Sequence, residues 1–436
     1  MRRDGVTVPL RRNRDFVLLQ VGQTLSTIGS ESSALAYPLL VLARTHSPAK
    51  AGVVGFARLV PYGLFALLAG VAADRWNRKR LMLLADVVRA LALGSIVVAL
   101  AAGRLSFLQI ALVAFVEGTM FALFNIAETG ALRSVVPAPQ LPRAAAAEQA
   151  RWSTVQLAGP PLGGALFGLG RAVPFLVDAI SYAFSLGSLV AMRTPFQEQR
   201  EPEPPAGVRA QIAEGFGWLW RHRFLRTCAV TFAGSNFAFE ALFLAVIIIG
   251  RRQGLSGSEI GALVAALGAC GLVGSAAAPL FQRLLSMRAI VIGCFWISLG
   301  VAAFVAVPSV YVLVGGALPL LFLNPTVNAV VIGYRIAIVP DRLVGRVNSV
   351  ARSIALGATP LGALFAGLML GSFSARTTVA VLSAWLLLLA VWVTASPSIR
   401  DAPSLSELDV LPAVAVDVQA LRASGADGRA GEAHAS

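Results

Sequence analysis

Four glutamates lie inside strongly apolar stretches of the sequence, where a carboxyl group could carry a proton. They are Glu31, Glu117, Glu128 and Glu240. A carboxyl group in an apolar cavity can bind and release a proton near neutral pH, and charged side chains in membrane spans are often functional. Glu31 is the first candidate because we expect it near the middle of a span, whereas Glu128 should lie near a span end. The alternative for each glutamate is a structural ion pair or hydrogen bond.

Polar and aromatic side chains recur at helical spacing around these glutamates. Steps of three, four or seven residues place side chains on one face of a helix, so each series predicts a helix with a polar or aromatic stripe. There are four stripes: Gln20, Thr24, Thr27 and Glu31; Glu117, Phe121, Phe124 and Glu128, with Asn125 beside them; Phe232, Asn236 and Glu240; and Asn324, Asn328 and Arg335.

Further charged residues in apolar stretches are interpreted as structural. Asp86 and Arg89 are three residues apart, so they can pair on one helix face. Arg58 needs a partner in such a position, and Asp74 or Asp86 could serve. Arg352 needs a partner too, and the sequence does not assign one.

The composition indicates a protein that is solvated by lipid. The 436 residues are 57% hydrophobic and 13% charged, with a mean hydropathy of +0.74, whereas soluble chains are usually about one quarter charged. The net charge of +14 comes mostly from Arg in short clusters between apolar runs, so a nucleic-acid-binding protein is not indicated. No metal site, cofactor or nucleotide-binding loop is predicted, and the three cysteines are interpreted as core residues.

Windows of about 20 apolar residues, the length that crosses the hydrocarbon core, predict twelve transmembrane helices. Most Arg and Lys residues outside them lie in the N-terminal segment and the even-numbered loops, which predicts that both termini are cytoplasmic. We therefore expect an all-α, multi-pass protein of a bacterial cytoplasmic (inner) membrane. The predicted spans are 16–43, 51–73, 81–102, 105–128, 144–170, 172–192, 225–250, 256–281, 287–306, 309–334, 345–371 and 376–396.

A long polar segment between the sixth and seventh spans divides the chain. We predict an N-terminal six-helix bundle (1–192), a cytoplasmic central loop (193–222), a C-terminal six-helix bundle (223–396) and a disordered cytoplasmic tail (397–436). The central loop contains Glu201-Pro202-Glu203-Pro204-Pro205, which cannot be helical throughout.

The two halves also resemble each other in sequence, which favours a six-span repeat over chance similarity. The same short motifs occur in the same order: Phe124-Asn125, Arg151 and Pro161-Leu162-Gly163 in the first half, and Leu323-Asn324, Arg352 and Pro360-Leu361-Gly362 in the second.

The loop after the second span carries the most specific motif. It reads Gly70-Val-Ala-Ala-Asp74-Arg75-Trp-Asn-Arg78-Lys-Arg80 and resembles the signature loop of the major facilitator superfamily, G-x-x-x-D-R-x-x-R-R/K. The resemblance extends over about residues 12–396. It implies two six-helix bundles and, by default, a monomer. Gly70 allows close helix approach, and Asp74 needs a cationic partner at the membrane boundary. These residues predict a conformational latch; the alternative for the basic ones is a simple cytoplasmic anchor.

A second motif points to antiporters of that superfamily. Gly159-Pro160-Pro161-Leu162-Gly163-Gly164 resembles the core of their G-P-x-x-G-G motif. The segments beginning at Ala85 and Pro340 resemble the branch of siderophore exporters and macrolide efflux proteins, which implies export driven by the proton gradient. Two positions depart from the pattern. Val155 replaces a glycine of the antiporter motif, and Ala114 replaces the Arg that many antiporters carry in the fourth span.

In this superfamily, spans 1, 4, 7 and 10 line the cavity, and these are the spans that carry the four stripes. The resemblance thus implies that the stripe residues line a substrate cavity, whose aromatic members favour an amphiphilic substrate. We expect a proton-coupled exporter of a drug or siderophore, with the small molecule, protons and membrane lipid as partners. Proton-linked uptake and a non-transporting sensor are alternatives. A membrane enzyme is disfavoured because none of the histidines lies beside a cysteine or a carboxylate pair.

Overall fold

A computed structural model describes residues 9–64, 77–194, 196 and 208–400. Within these residues the regular structure is helical, as predicted. The α-helices are α1 (Arg14–Thr45), α2 (Pro48–Leu64), α3 (Arg78–Ala101), α4 (Phe107–Val135), α5 (Leu141–Leu169), α6 (Val173–Ala191), α7 (Val208–Arg221), α8 (Arg223–Arg252), α9 (Gly257–Leu284), α10 (Met287–Ile297), α11 (Ala303–Ala306), α12 (Val310–Ile338), α13 (Asp341–Gly357), α14 (Thr359–Ser372), α15 (Ala375–Ala395) and α16 (Pro397–Arg400).

Side-chain caps define where many of these helices begin. Asn13 accepts a hydrogen bond from the backbone N–H of Phe16, and Ser106 accepts one from Gln109. Ser256 and Glu259 form a reciprocal capping box at the start of α9. Each cap satisfies N–H groups that have no partner within the helix.

Nine helical segments in the described part of the chain are long and apolar enough to cross a membrane. They correspond to nine of the predicted spans. Helices α1 and α5 are not among them, since buried or half-buried polar residues lower their hydropathy, and α2 is described over only 17 residues. The count of twelve spans and the cytoplasmic position of the termini remain predictions.

Three predicted boundaries differ from the structure. The central segment contains helix α7, which packs against α13. Residues 397–400 form the short helix α16 because Ile399 is buried in a core cluster, and residues 401–436 lie outside the described part. The eleventh span is interrupted at Ala358 between α13 and α14, where Pro360 cannot donate a helical hydrogen bond.

The helices pack as two groups, α1–α6 and α8–α15, whose close contacts, α2 with α13–α14 and α5 with α9, run from one end toward the middle of these helices. One apolar core continues across both groups where α1, α8 and α14 finish, with Leu39, Ile247 and Leu370 among its members. Where α1 and α8 begin, each group has a separate core, represented by Leu19 and Leu225. We call these the closed end and the open end. The space between the groups therefore widens toward the open end.

Glycines bring the helix backbones together at the closed end. A Cβ atom at Gly52 of α2 would lie 2.8 Å from the Cα atom of Gly367 in α14, and one at Gly257 of α9 would lie 2.9 Å from the Gly164 oxygen in α5. Under the predicted repeat, α2 corresponds to α9 and α5 to α13–α14, so the two contacts are copies of each other. Small residues at both crossings allow the close approach.

Replacement of Gly52 by Leu should open this end, because the new side chain has no space against α14. In a background without native cysteines, a single cysteine at the buried position Leu370 would report the change. We expect its labelling by a membrane-impermeant maleimide to rise several-fold. Gly187→Leu is the matched control, since no atom lies within 4 Å of its added Cβ. Unchanged labelling in Gly52→Leu would contradict the assigned contact.

Candidate functional site

A large cavity of about 1430 Å³ lies between the two helix groups. Its wall comes from α1, α2, α4 and α5 on one side and from α8, α9, α12, α13 and α14 on the other. This volume is sufficient for a drug-sized molecule, since ligand pockets usually enclose about 300–1,000 Å³. The cavity is the natural candidate for the functional site.

The stripe residues divide into those that line this cavity and those that do not. Members of all four stripes line it: Glu31, Phe121, Asn125, Asn236, Glu240 and Asn324. The other members lie outside its lining, contrary to the prediction: Gln20, Thr24, Thr27, Glu117, Phe124, Glu128, Phe232, Asn328 and Arg335.

The contacts of these other residues explain their positions. Gln20 donates a hydrogen bond to Glu148, and Thr27 accepts one from Arg151. Phe124 and Phe232 belong to the separate cores of the open end. Two further stripe members form hydrogen bonds within their own helix, Thr24 to Gln20 and Asn328 to Asn324. Two others form salt bridges with a neighbouring helix, Glu117 with Arg58 and Glu128 with Arg151.

Arg58 forms a salt bridge with Glu117 and not with Asp86, one of its two predicted partners; the other, Asp74, lies outside the described residues. Its Nε and Nη2 atoms each lie 3.3 Å from one carboxylate oxygen of Glu117. The Glu117 side chain is 1% exposed and that of Arg58 is 15% exposed, on the cavity wall. A two-fold guanidinium–carboxylate contact of this kind is among the strongest polar interactions in proteins.

A second buried network continues from this salt bridge. Arg89 donates a hydrogen bond of 2.9 Å to the Ser30 hydroxyl, and its guanidinium lies 4.0 Å from the ring centroid of Tyr182. Asp86 lies 3.9 Å from Arg89, as the three-residue spacing predicts, and accepts a hydrogen bond of 2.5 Å from Ser185. The network joins α1, α3 and α6 around fully buried charges.

Asp178 of α6 is a buried acid of this region that the sequence reasoning missed. It is fully buried and accepts a hydrogen bond of 2.6 Å from Ser33. The signal was available, because Asp178, Ser181, Tyr182 and Ser185 form a polar stripe at helical spacing in the sixth span.

A third charge cluster lies toward the open end of the first helix group. Arg151 of α5 is buried and forms salt bridges with Glu128, at 2.9 Å, and with Glu148. Its other terminal nitrogen donates a hydrogen bond of 3.1 Å to Thr27. Three helices, α1, α4 and α5, are thereby joined through one guanidinium.

Six charged residues line the cavity, and they differ in whether they have a counter-charge. Arg58, Glu148 and Arg346 form salt bridges, the last with Glu214 of α7. In the part of the chain that the structure describes, the others form neither a salt bridge nor a side-chain hydrogen bond: Glu31, Glu240 and Arg352. Glu31 and Glu240 come from opposite helix groups, and both are half-buried.

Aromatic rings cover much of the remaining wall. Tyr62 stacks on Phe121 with ring centroids 5.1 Å apart. Trp152 lines the same helix group, and Phe239 and Phe243 line the opposite one. The cavity thus combines carboxylates with large apolar faces, which suits an amphiphilic molecule.

The antiporter-like motif of α5 holds this helix against its neighbours. Gly159 packs against the Cβ atom of Glu31, and Gly163 packs against the backbone of Ser32. Gly164 touches α9 of the other helix group, while Pro160 lines the cavity. The motif therefore fixes the backbone of α1 where Glu31 enters the cavity.

Part of the predicted latch lies outside the described residues, namely Gly70, Asp74 and Arg75. Arg78 is half-buried, and its Nη1 atom donates to the carbonyl oxygen of Gly130 at 3.4 Å. Arg80 is exposed at the first turn of α3. These two residues lie at the open end.

A helical membrane fold with a large cavity between two helix groups, open at one end, is that of a membrane transporter. Residues 19–336 match the family model described as Major Facilitator Superfamily. The chain belongs to this superfamily.

Relatives and solved structures agree with this assignment. The multidrug efflux pump Tap of Mycolicibacterium fortuitum is 27% identical, over 86% of this chain and 93% of its own. Macrolide efflux protein A of Streptococcus pyogenes is 22% identical over 51% of this chain and 55% of its own. The crystal structure of a bacterial homologue of the iron transporter ferroportin, in an inward-facing state, matches with a TM-score of 0.70 and 17% identity. That match covers 89% of this chain and 99% of the other.

Removal of one partner of the buried salt bridge should destabilise the protein more than removal of an exposed one. Arg58→Met leaves Glu117 unpaired, and broken buried pairs cost roughly 3–5 kcal/mol. Arg346→Met breaks a pair whose side chains are 37% and 40% exposed, so it should cost at most about 1 kcal/mol. Thermal unfolding in detergent can be followed with a thiol-reactive dye through the buried Cys228 and Cys294.

The double variant Arg58→Met/Glu117→Leu tests the cause of that destabilisation. Since it removes both charges, it should recover part of the lost stability. Equal melting temperatures for Arg58→Met and Arg346→Met would show that the buried salt bridge contributes no more to stability than the exposed one.

Proposed function

We propose that this chain is a proton-coupled exporter of amphiphilic small molecules that works by alternating access. The observation that supports the proposal most strongly is the pair of cavity carboxylates, Glu31 and Glu240, which have no salt bridge in the described part of the chain. A transported cation and a proton can compete for such groups. The aromatic wall supplies the apolar part of the binding site.

The proposed cycle has two states. In the state with the open end exposed, the cavity receives the substrate from the side that the Arg distribution predicts to be cytoplasmic. A cationic substrate group then displaces protons from Glu31 or Glu240. In the opposite state, the glycine contacts of the closed end separate, and protons from the outer side displace the substrate. The proton gradient makes this direction favourable.

Glu31 is well placed to link protonation to helix movement. Its backbone is held by Gly159 of α5, and its neighbour Ser30 receives hydrogen bonds from Arg58, at 3.4 Å, and from Arg89, at 2.9 Å. A change of charge at Glu31 acts on Arg58, which faces the same cavity. We therefore propose Glu31 and Glu240 as the proton carriers, while the pairing of Glu117 and Glu128 favours a structural role for both.

Export is favoured over uptake by the relatives rather than by the cavity itself. The Tap proteins and the macrolide protein that this chain resembles are named as efflux proteins. The loop with Gly70, Asp74 and Arg75 is proposed to stabilise one of the two states, together with Arg78 and Arg80 at the open end.

Proton release on substrate binding provides the direct test. Tetraphenylphosphonium, a lipophilic cation that does not titrate, is added to purified protein in weakly buffered detergent solution while the pH is recorded. The wild type should release about one proton per bound molecule, and Glu31→Gln and Glu240→Gln should each reduce the release, because an amide binds no proton. Glu259→Gln is the control, since this glutamate is exposed at the closed end.

Transport is then measured in inverted membrane vesicles that carry a pH-sensitive dye and an imposed proton gradient. Addition of substrate should partly collapse the gradient in the wild type and not in the proton-release variants. Collapse that persists in both Glu31→Gln and Glu240→Gln would reject these carriers. Binding without any proton release in the wild type would reject proton coupling altogether.

A further inference from the structure

Arg352 is a cation on the cavity wall without a counter-charge. It belongs to α13, its side chain is exposed, and it lines the cavity together with Ser349 and Ser353. No salt bridge or side-chain hydrogen bond of Arg352 is found among the described residues. A charged side chain within a transmembrane span normally pairs with an opposite charge or marks the path of a ligand.

The first half of the chain shows what is missing around this arginine. Arg151 precedes the first Pro-Leu-Gly motif by ten residues and Arg352 precedes the second by eight, so the two are not equivalent in register; the Arg151 guanidinium contacts two acids, Glu128 and Glu148. Glu148 lies three residues before Arg151, whereas Ser349 lies three residues before Arg352. Arg352 therefore has no acid one turn before it and lines the cavity, whereas Arg151 is paired with acids inside the first helix group.

We propose that Arg352 binds an anionic group of the transported molecule, so that the preferred substrates carry both a basic and an acidic group. The basic group would bind at Glu31 or Glu240, and in this respect the inference rests on the proposed function. A guanidinium presents several N–H donors in one plane and pairs well with a carboxylate or phosphate. The hydroxyls of Ser349 and Ser353 offer further donors to the same group.

The helix register gives the spacing that such a substrate needs. The Asn236 side chain of α8 donates a hydrogen bond of 2.9 Å to the carbonyl oxygen of Ala355, which aligns α8 with α13. Both helices run from the open end toward the closed end. Glu240 lies about one turn beyond Asn236, and Arg352 lies about one turn before Ala355. At a rise of 1.5 Å per residue, the backbone positions of Glu240 and Arg352 are about 10 Å apart along the helix axes.

Two dyes that differ in one group allow a direct test. Tetramethylrhodamine has a delocalised cation and a free carboxylate, and its methyl ester has the same cation without the carboxylate. Binding of each dye to the purified full chain in nanodiscs of phosphatidylcholine is measured by fluorescence polarisation. We expect the wild type to bind the carboxylate dye more tightly than the ester. Arg352→Gln should weaken the carboxylate dye about tenfold, as for loss of a charged hydrogen bond, and leave the ester unchanged.

Two further variants define what a change means. Arg335→Gln, on α12 and outside the cavity lining, should leave both dyes unaffected. Arg352→Lys, which keeps the charge but not the planar fork, should retain part of the preference for the carboxylate dye. The double variant Glu31→Gln/Glu240→Gln should weaken both dyes, because it removes both candidate sites for the cation that they share.

The outcomes separate this inference from the proposed function. Equal affinities of the wild type for the two dyes, no binding of the carboxylate dye, or an unchanged carboxylate preference in Arg352→Gln would each overturn the role of Arg352. An anionic lipid headgroup is the other possible source of the bound group. It would be indicated if phosphatidylglycerol in the nanodisc weakened carboxylate-dye binding to the wild type but not to Arg352→Gln, and this result would overturn the substrate assignment. Ester binding that is insensitive to the Glu31→Gln/Glu240→Gln double variant would instead count against the proposed proton carriers.

Discussion

The structure depends on one constraint: a charge within a lipid-solvated helix bundle needs a counter-charge or access to water. In the first helix group, three arginines have acidic partners inside the protein: Arg58 pairs with Glu117, Arg89 lies beside Asp86 and donates to Ser30, and Arg151 pairs with two acids. Together with the hydrogen bonds from Arg151 to Thr27 and from Ser185 to Asp86, these contacts connect all six helices of the group. Among the described residues, three charges face the cavity without a salt bridge: Glu31, Glu240 and Arg352.

The two helix groups meet this constraint differently, which bears on how they can move. The first contains polar networks through most of its length, while the described core of the second at the open end is apolar. At the closed end, glycines and a shared apolar core join the groups without any salt bridge among the described residues. Apolar contacts between backbones can separate without leaving unpaired charges. Rocking of one intact group against the other is therefore the movement that this distribution of charge allows most easily.

The helices and their approximate boundaries could be predicted from the sequence, because hydropathy and helix period are local properties. The pairing of charges could not. Arg58 and Glu117 are 59 residues apart, and their contact depends on how α2 crosses α4. The stripes had the correct period, but period alone does not fix the rotation of a helix. Thus Gln20 and Thr27 face α5, where Arg151 lies, while Glu31, on the same stripe of α1, reaches the cavity.

The crossing of α2 and α4 also bears on the missing arginine of the fourth span. Ala114, where many antiporters of the superfamily carry that arginine, is fully buried, so this position has no space for a guanidinium. The backbone of Arg58 packs directly on Gly118, which brings the Arg58 side chain to Glu117 from the neighbouring helix. A cation beside the acid of the fourth span is thus supplied by α2. The Arg58 guanidinium therefore lies next to both Glu117 and the cavity. In the proposed cycle, binding of a proton or a substrate cation at Glu31 changes the electrostatic potential at this guanidinium, which is bound to Glu117 of α4.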